Sequence, residues 1–191
     1  NSSKELCGEL DSIISNYLNL DWDCRKEYFL NLRKSFNDKK DVLNGSNTDV
    51  RLAAEFLFLN KTCFNGLWRT NSKGEFNTPF GRPTNINKEP NIYDRDNIIK
   101  LSELIRDVEF KCGDYKDVIG YDITGDVLVY MDPPYRGTWS NYSKESFGEK
   151  EQIELSHYMK ELKDRGFLVI QSNSKCDDGF FEKYYKDFEI K

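Results

Sequence analysis

The chain has 191 residues, of which 38% are hydrophobic, 14% aromatic and 32% charged, with a net charge of −5. That length suits one domain or one and a fraction, and the aromatic content excludes a disordered chain. No run reaches the roughly 18 apolar residues of a membrane span, and no apolar stretch follows a basic start as in a secretory signal. The sequence opens on Asn1 and stops at Phe188-Glu189-Ile190-Lys191, inside an alternating pattern. A piece of a longer polypeptide, cut at both ends, is therefore expected. Cys7, Cys24, Cys63, Cys112 and Cys176 are scattered, and His157 is the only histidine. Neither a zinc site nor a disulfide framework fits that spacing, so no metal is expected. Free thiols fit a reducing cytoplasm.

In chain order, apolar residues at helical spacing predict a helix over about Glu5–Leu20, with Leu6, Leu10, Ile13, Ile14 and Tyr17 on one face. A second runs over about Arg25–Phe36 with Tyr28, Phe29, Leu32 and Phe36. Lys39–Thr48 reads as a polar loop, after which Thr48 or Asp49 caps a helix bearing Leu52, Phe56, Leu57 and Leu59. Residues 64–84 are dense in Gly, Asn and Pro with aromatics between them. There Ser72-Lys73-Gly74 can close a hairpin between Leu67–Asn71 and Glu75–Thr78. Residues 61–88 carry a net +4 and the rest of the chain −9, a basic island in an acidic body. On charge alone, that island also fits a solvated loop.

A polar linker over residues 83–93 leads to a helix near Asp94–Ile105. The chain then alternates: strands at Val108–Cys112, Val127–Met131 and Phe167–Gln171, helices at 149–164 and near 178–186, and a nascent strand at the end. Alternation of this kind predicts a mostly parallel, doubly wound α/β sheet, with a soft domain boundary near residue 107.

Val127–Met131 runs straight into Asp132-Pro133-Pro134-Tyr135. Open parallel sheets bind ligands beyond the carboxyl ends of their strands. Two prolines fix φ and remove two amide donors there, leaving the Asp132 carboxylate and the Pro133 carbonyl as acceptors beside the flat face of Tyr135. Acceptors next to an aromatic platform suit a planar group bearing an exocyclic amine.

This D-P-P-Y segment resembles the catalytic motif of S-adenosylmethionine-dependent amino-methyltransferases, whose variants act on adenine, cytosine, RNA guanine or glutamine. More specifically, Phe56–Arg69, continuing through Lys73–Gly81, resembles the target-recognition region of the Dam-type, D12-class DNA adenine-N6 methyltransferases, and it precedes D-P-P-Y as it does there. The likeness covers roughly residues 25–190. It implies a Rossmann-like methyltransferase sheet, partial here, over residues 107–191. It also implies a helical target-recognition subdomain over residues 1–106 with a DNA-facing hairpin near 64–84.

The resemblance further implies residue roles. Asp132, Pro133, Pro134 and Tyr135 hold and methylate a flipped adenine. Asp114 and Tyr115, in Gly113-Asp114-Tyr115, hold the adenine of S-adenosylmethionine, with Asp132 also at the cofactor. Phe64 and Asn65 wedge into the duplex, Leu67 lies beside them, Arg69 and Pro79 contact bases, and Lys73 and Arg82 face DNA. Gln171-Ser172-Asn173 resembles a later motif at the pocket's edge. Phe64 and Trp68 also fit core positions, Asp114 also fits a turn, and Tyr142 and Phe147 are candidate pocket residues.

The family's F-x-G-x-G segment, its N-terminal lysine-glycine motif and its acidic ribose ligand are all expected upstream of Asn1. Thr84 stands where enzymes methylating GATC have a lysine, so GATC is not assigned. The expected protein is a cytoplasmic, monomeric, site-specific methyltransferase of double-stranded DNA, alone or with a companion restriction endonuclease, and with no membrane partner. The alternatives are an amino-methyltransferase acting on RNA and a catalytically silent DNA-binding module.

Overall fold

The computed structural model describes residues 2–39, 49–82, 91–120, 126–137 and 147–191. The chain divides into two compact units, Asn1–Glu109 and Phe110–Lys191.

The first unit is helical: α1 (Ser3–Leu18), α2 (Trp22–Lys39), α3 (Val50–Thr62) and α4 (Arg95–Leu104). Aspartates start three of these helices. Asp21 Oδ1 accepts from the amides of Asp23 and Cys24, Asp49 Oδ1 from Leu52, and Asp94 Oδ1 from Asn97. Each bond satisfies an orphan donor of a first turn. Leu10, Ile13 and Tyr17 of α1, Phe29, Leu32 and Phe36 of α2, and Leu52, Phe58 and Leu59 of α3 form the core. The stripes read from periodicity for α1 and α2 therefore face this core, and so do Leu52, Leu57 and Leu59 of α3, whereas Phe56 is exposed. Buried Arg25 closes the end of α1, donating Nε to the Tyr17 carbonyl at 3.1 Å and Nη2 to Leu18 at 2.7 Å. Its guanidinium lies over the Tyr17 and Trp22 rings. A cation suits a helix C-terminus, where carbonyls lack partners.

The second unit holds β1 (Leu128–Met131), α5 (Glu149–Asp164), β2 (Leu168–Gln171) and α6 (Phe180–Tyr184). The strands are parallel neighbours, in register from Leu128 opposite Leu168 to Met131 opposite Gln171. Val129 and Val169 pack on Leu155, Tyr158 and Leu162 of α5. Leu128, Tyr130, Leu168 and Ile170 alternate onto the exposed face.

Two expectations are corrected. Val108–Cys112 is irregular, with Val108 and Phe110 exposed. The alternation suits a pleated surface, yet a strand exists only through a ladder, and no described strand pairs with this segment. The segment also spans the junction of the two units. Residues 187–191 form turn and coil instead of a strand. Among the described residues no helix is long and apolar enough to cross a membrane, no His/Cys/Asp/Glu grouping suits a metal ion, and all five cysteines are free.

Candidate active site and nucleic-acid interface

In the second unit, β1 delivers Asp132 to the end of the two-stranded ladder. The last ladder bond runs from the Ser172 amide to the Met131 carbonyl at 3.0 Å, and the two prolines then offer no donor to extend it. Ser172 Oγ donates to Asp132 Oδ1 at 2.6 Å. The same Oγ accepts from the Tyr130 hydroxyl at 3.1 Å, so the carboxylate is oriented by a two-step hydroxyl chain.

A cavity of about 300 Å³ opens beside this strand end, lined by Tyr115, Asp132, Pro133, Pro134, Phe147 and Tyr158 among others, and no Lys or Arg is among its described lining residues. Tyr115 begins the 3-10 turn Tyr115–Gly120. Its carbonyl accepts from the Tyr158 hydroxyl at 2.8 Å, and the two rings meet edge-on at 5.2 Å. Burial pushes the Tyr115 phenol up, which keeps that ring neutral. Phe147, proposed from sequence beside Tyr142, is at the cavity; Tyr142 lies outside the described residues. Asp114 does not line the cavity: its Oδ1 accepts from the Lys116 amide at 2.9 Å, as in an ordinary Asx turn. Tyr135 is 37% exposed and lies outside the cavity's lining.

The backbone at Arg136, directly after Tyr135, is tied down. Arg136 pairs with Asp178 and with Glu149, and its guanidinium sits 4.2 Å over the Phe180 ring. The Asp178 bond first of all raises its pKa further. Gln152 of α5, buried, donates to the Pro134 carbonyl at 2.7 Å. Sequence reading missed this residue. The available signal was a polar side chain on the stripe that also carries Leu155, Met159 and Leu162.

In the first unit, residues 64–82 form a separate structure. The Cys63 and Phe80 backbones bridge antiparallel, the Phe64 amide donates to Pro79 and the Gly81 amide to Thr62, both at 2.9 Å. Between them the chain turns through Asn65 at φ 53° and Gly66 at φ 63°, and the Asn60 side chain donates to the Gly66 carbonyl at 3.1 Å. Left-handed backbone on an asparagine is uncommon and here throws two apolar side chains outward. Phe64 is 51% and Leu67 52% exposed, so Phe64 is not a core residue.

The hairpin exists, closed by Asn71 Oδ1 accepting from the amides of Lys73 and Glu75. Arg33 and Asn37 of α2 hold it: Arg33 donates to the Thr78 carbonyl, and Asn37 pairs with both backbone groups of Phe76. Trp68 stacks on buried Phe76 at 4.3 Å and is a packing residue, as its alternative reading allowed. Exposed Arg69 donates Nε to Asn77 Oδ1 at 3.0 Å. Lys73, Pro79 and Arg82 are exposed on the same segment, whereas Thr84 and Lys88 fall outside the described residues. Rigid backbone thus carries apolar and cationic side chains facing solvent, which suits a polyanion with unstackable rings.

Comparison with known proteins gives the family that both motifs resemble. A family model described as D12 class N6 adenine-specific DNA methyltransferase matches residues 1–191. The Type II methyltransferase M.MjaIII of Methanocaldococcus jannaschii is 39% identical, covering 100% of this chain and 64% of its own length. The Type II methyltransferase M1.LlaDCHI of Lactococcus lactis subsp. cremoris is 35% identical, covering 86% of this chain and 57% of its own length. The retron Ec67 DNA adenine methylase of Escherichia coli is 33% identical, covering 86% and 53%. The chain therefore spans less than two thirds of these relatives.

Proposed function

The chain belongs to the D12 class of N6 adenine-specific DNA methyltransferases, and we propose that the intact protein methylates N6 of an adenine flipped out of a specific site in duplex DNA. The observation that carries the reading is the Asp132 carboxylate, oriented by Ser172, at the end of β1 on a cavity bounded by aromatic rings. The two parallel strands and α5 fit part of a Rossmann-like methyltransferase sheet.

The cavity suits S-adenosylmethionine. Among the described lining residues, the Asp132 carboxylate and the tyrosine and phenylalanine rings favour a cationic ligand with a flat heterocycle. Tyr115, Phe147 and Asp132 are the residues that would hold it. When bound, it supplies a methyl group on a sulfonium, a donor that requires alignment more than a strong base.

This chain's residues supply the alignment. Asp132 and the Pro133 carbonyl accept the two N6 hydrogens, directing the nitrogen lone pair and stabilising the positive charge that develops on it. Tyr135 stacks on the extruded ring. An adenine inside a duplex is out of reach, and extruding it costs about a few kcal/mol. Phe64, projecting from the turn that Asn65 makes possible, fills the vacated space. Arg69 reads a base edge in the major groove, and Lys73 and Arg82 neutralise phosphates.

The test is N6-methyladenine, quantified by mass spectrometry in nucleosides from cells expressing the intact protein, with Asp132→Ala as control. Signal lost in the mutant, with DNA binding retained, supports the assignment. Methylation confined to structured RNA, or binding to DNA with no methylation by soluble wild-type protein, sinks it.

A further inference from the structure

Gln152 is 1% exposed, and its side-chain amide is used at both ends. Nε2 donates to the Pro134 carbonyl at 2.7 Å, while Oε1 accepts from Asn173 Nδ2 at 3.1 Å. Asn173 Oδ1 in turn accepts from the Arg136 amide at 2.8 Å and the Ser174 amide at 2.9 Å. Two hydrogen-bonded side-chain amides, one from α5 and one from the loop after β2, thus grip the backbone immediately before and immediately after Tyr135. The Tyr185 hydroxyl donates to the Gln152 main-chain carbonyl at 3.1 Å and holds this part of α5 in place.

The grip falls on ψ of Pro134, one of the two ψ torsions the prolines leave open. The rings of Pro133 and Pro134 fix both φ angles. The relation between the Pro133 carbonyl and the Tyr135 ring then depends on ψ at Pro134, and the orientation of the Pro134 carbonyl reports and sets that angle. A donor fixed on this carbonyl restricts that torsion. We propose that Gln152 is the positioning residue that, paired with Asn173, sets the reactive conformation of Asp132-Pro133-Pro134-Tyr135. This rests on the methyl-transfer function proposed above. Gln152 touches neither base nor donor and acts through the backbone it holds.

The experiment compares wild type with Gln152→Glu, Gln152→Met and Asn173→Ala in the intact protein. The glutamate keeps the shape and loses the donor, methionine keeps the volume without polar atoms, and Asn173→Ala removes the second arm from a half-buried position. Two readouts are taken: methyl transfer from S-adenosylmethionine to unmethylated genomic DNA, and amide hydrogen exchange in the peptide spanning residues 133–137.

Because a displacement of about 1 Å can lower a rate about 100-fold, kcat is expected to fall by about that factor while both KM values move less than about threefold. Exchange at Tyr135, Arg136 and Gly137 is expected to accelerate by about tenfold or more, with that of α5 unchanged. A variant that keeps the wild-type melting transition overturns the proposal if its kcat stays within about threefold of wild type, or if exchange in 133–137 is unaltered. If wild type transfers no methyl, the function assigned above fails, and exchange alone still decides whether Gln152 holds the loop.

Discussion

Ser172 and Asp132 meet at 2.6 Å, Oγ to Oδ1, across the ends of two parallel strands. The contact fixes which carboxylate oxygen is engaged before any ligand arrives. Hydrogen bonds to charged groups contribute about 1.5–3 kcal/mol when well formed, with exposed ones at the low end. Ser172→Ala is expected to slow single-turnover methyl transfer about tenfold, the rate equivalent of that low end. Duplex affinity should stay unchanged. A weakened affinity with an unchanged transfer step would assign Ser172 to binding instead.

Arg69 is held by Asn77 on an exposed hairpin. A bidentate arginine–guanine contact discriminates by about 1–3 kcal/mol. Arg69→Ala should therefore relax preference at one base pair of the recognition site by roughly 5- to 150-fold. Sequencing of methylated positions in DNA from expressing cells reads this directly, and an unaltered motif would remove Arg69 from base readout.

Gly81 lies against the turn that carries Phe64. A Cβ there would sit 2.4 Å from the Cys63 carbonyl oxygen and 2.7 Å from its carbon, both backbone atoms. Neither can swing aside as a side-chain tip would. Gly81→Ala should destabilise the first unit by about 1–3 kcal/mol through overpacking and weaken DNA binding along with it. A melting temperature within a degree or so of wild type would show that the turn yields freely.

Asp11 of α1 accepts from the Tyr93 hydroxyl and the Arg95 guanidinium, joining α1 to the start of α4. The Tyr93 bond, followed by Arg95, holds the Asp11 carboxyl below its ordinary 3.8. Burial, then the Asp11 bond, pushes the Tyr93 phenol up to about 12 from 10.0. For the depressed acid, stability is present above pH 3.8 and disappears as pH falls through the lower folded value. For the raised phenol, stability is present below pH 10.0 and disappears as pH rises toward 12. Tyr93→Phe should lower the melting temperature most between these limits and flatten both flanks. A difference from wild type that is the same at every pH would exclude the linkage.

Much of the fold is legible because burial follows spacing: Leu10, Ile13 and Tyr17, or Phe29, Leu32 and Phe36, need only a helical period to declare their face. Asp49 announces its helix by its position, and Ser72-Lys73-Gly74 its turn by its residue types. The Asp132 motif is legible because two prolines directly after a strand have few uses. Val108–Cys112 misled because alternation records a propensity, whereas a strand requires a partner that no local pattern reveals. Asp114 carries a cofactor role by the resemblance of Gly113-Asp114-Tyr115 alone; in the fold its Oδ1 accepts from the Lys116 amide. Gln152 and Glu55 stayed hidden for a related reason. Each is a polar residue on an apolar stripe; Gln152 has partners far along the chain, Pro134 and Asn173, and Glu55 joins Arg51 of its own helix to Lys39 of α2.

The interlocked amides of Gln152 and Asn173 have a consequence for descent. Gln152 Oε1, buried, takes its donor from Asn173, and the Pro134 carbonyl takes its donor from Gln152, so a change at either position alone removes a hydrogen-bond partner from the other arm. Across relatives, positions 152 and 173 should therefore behave as a single inherited character, exchanged as a pair or left together. A lineage that replaces one is expected to have replaced the other with a side chain of complementary hydrogen-bonding sense.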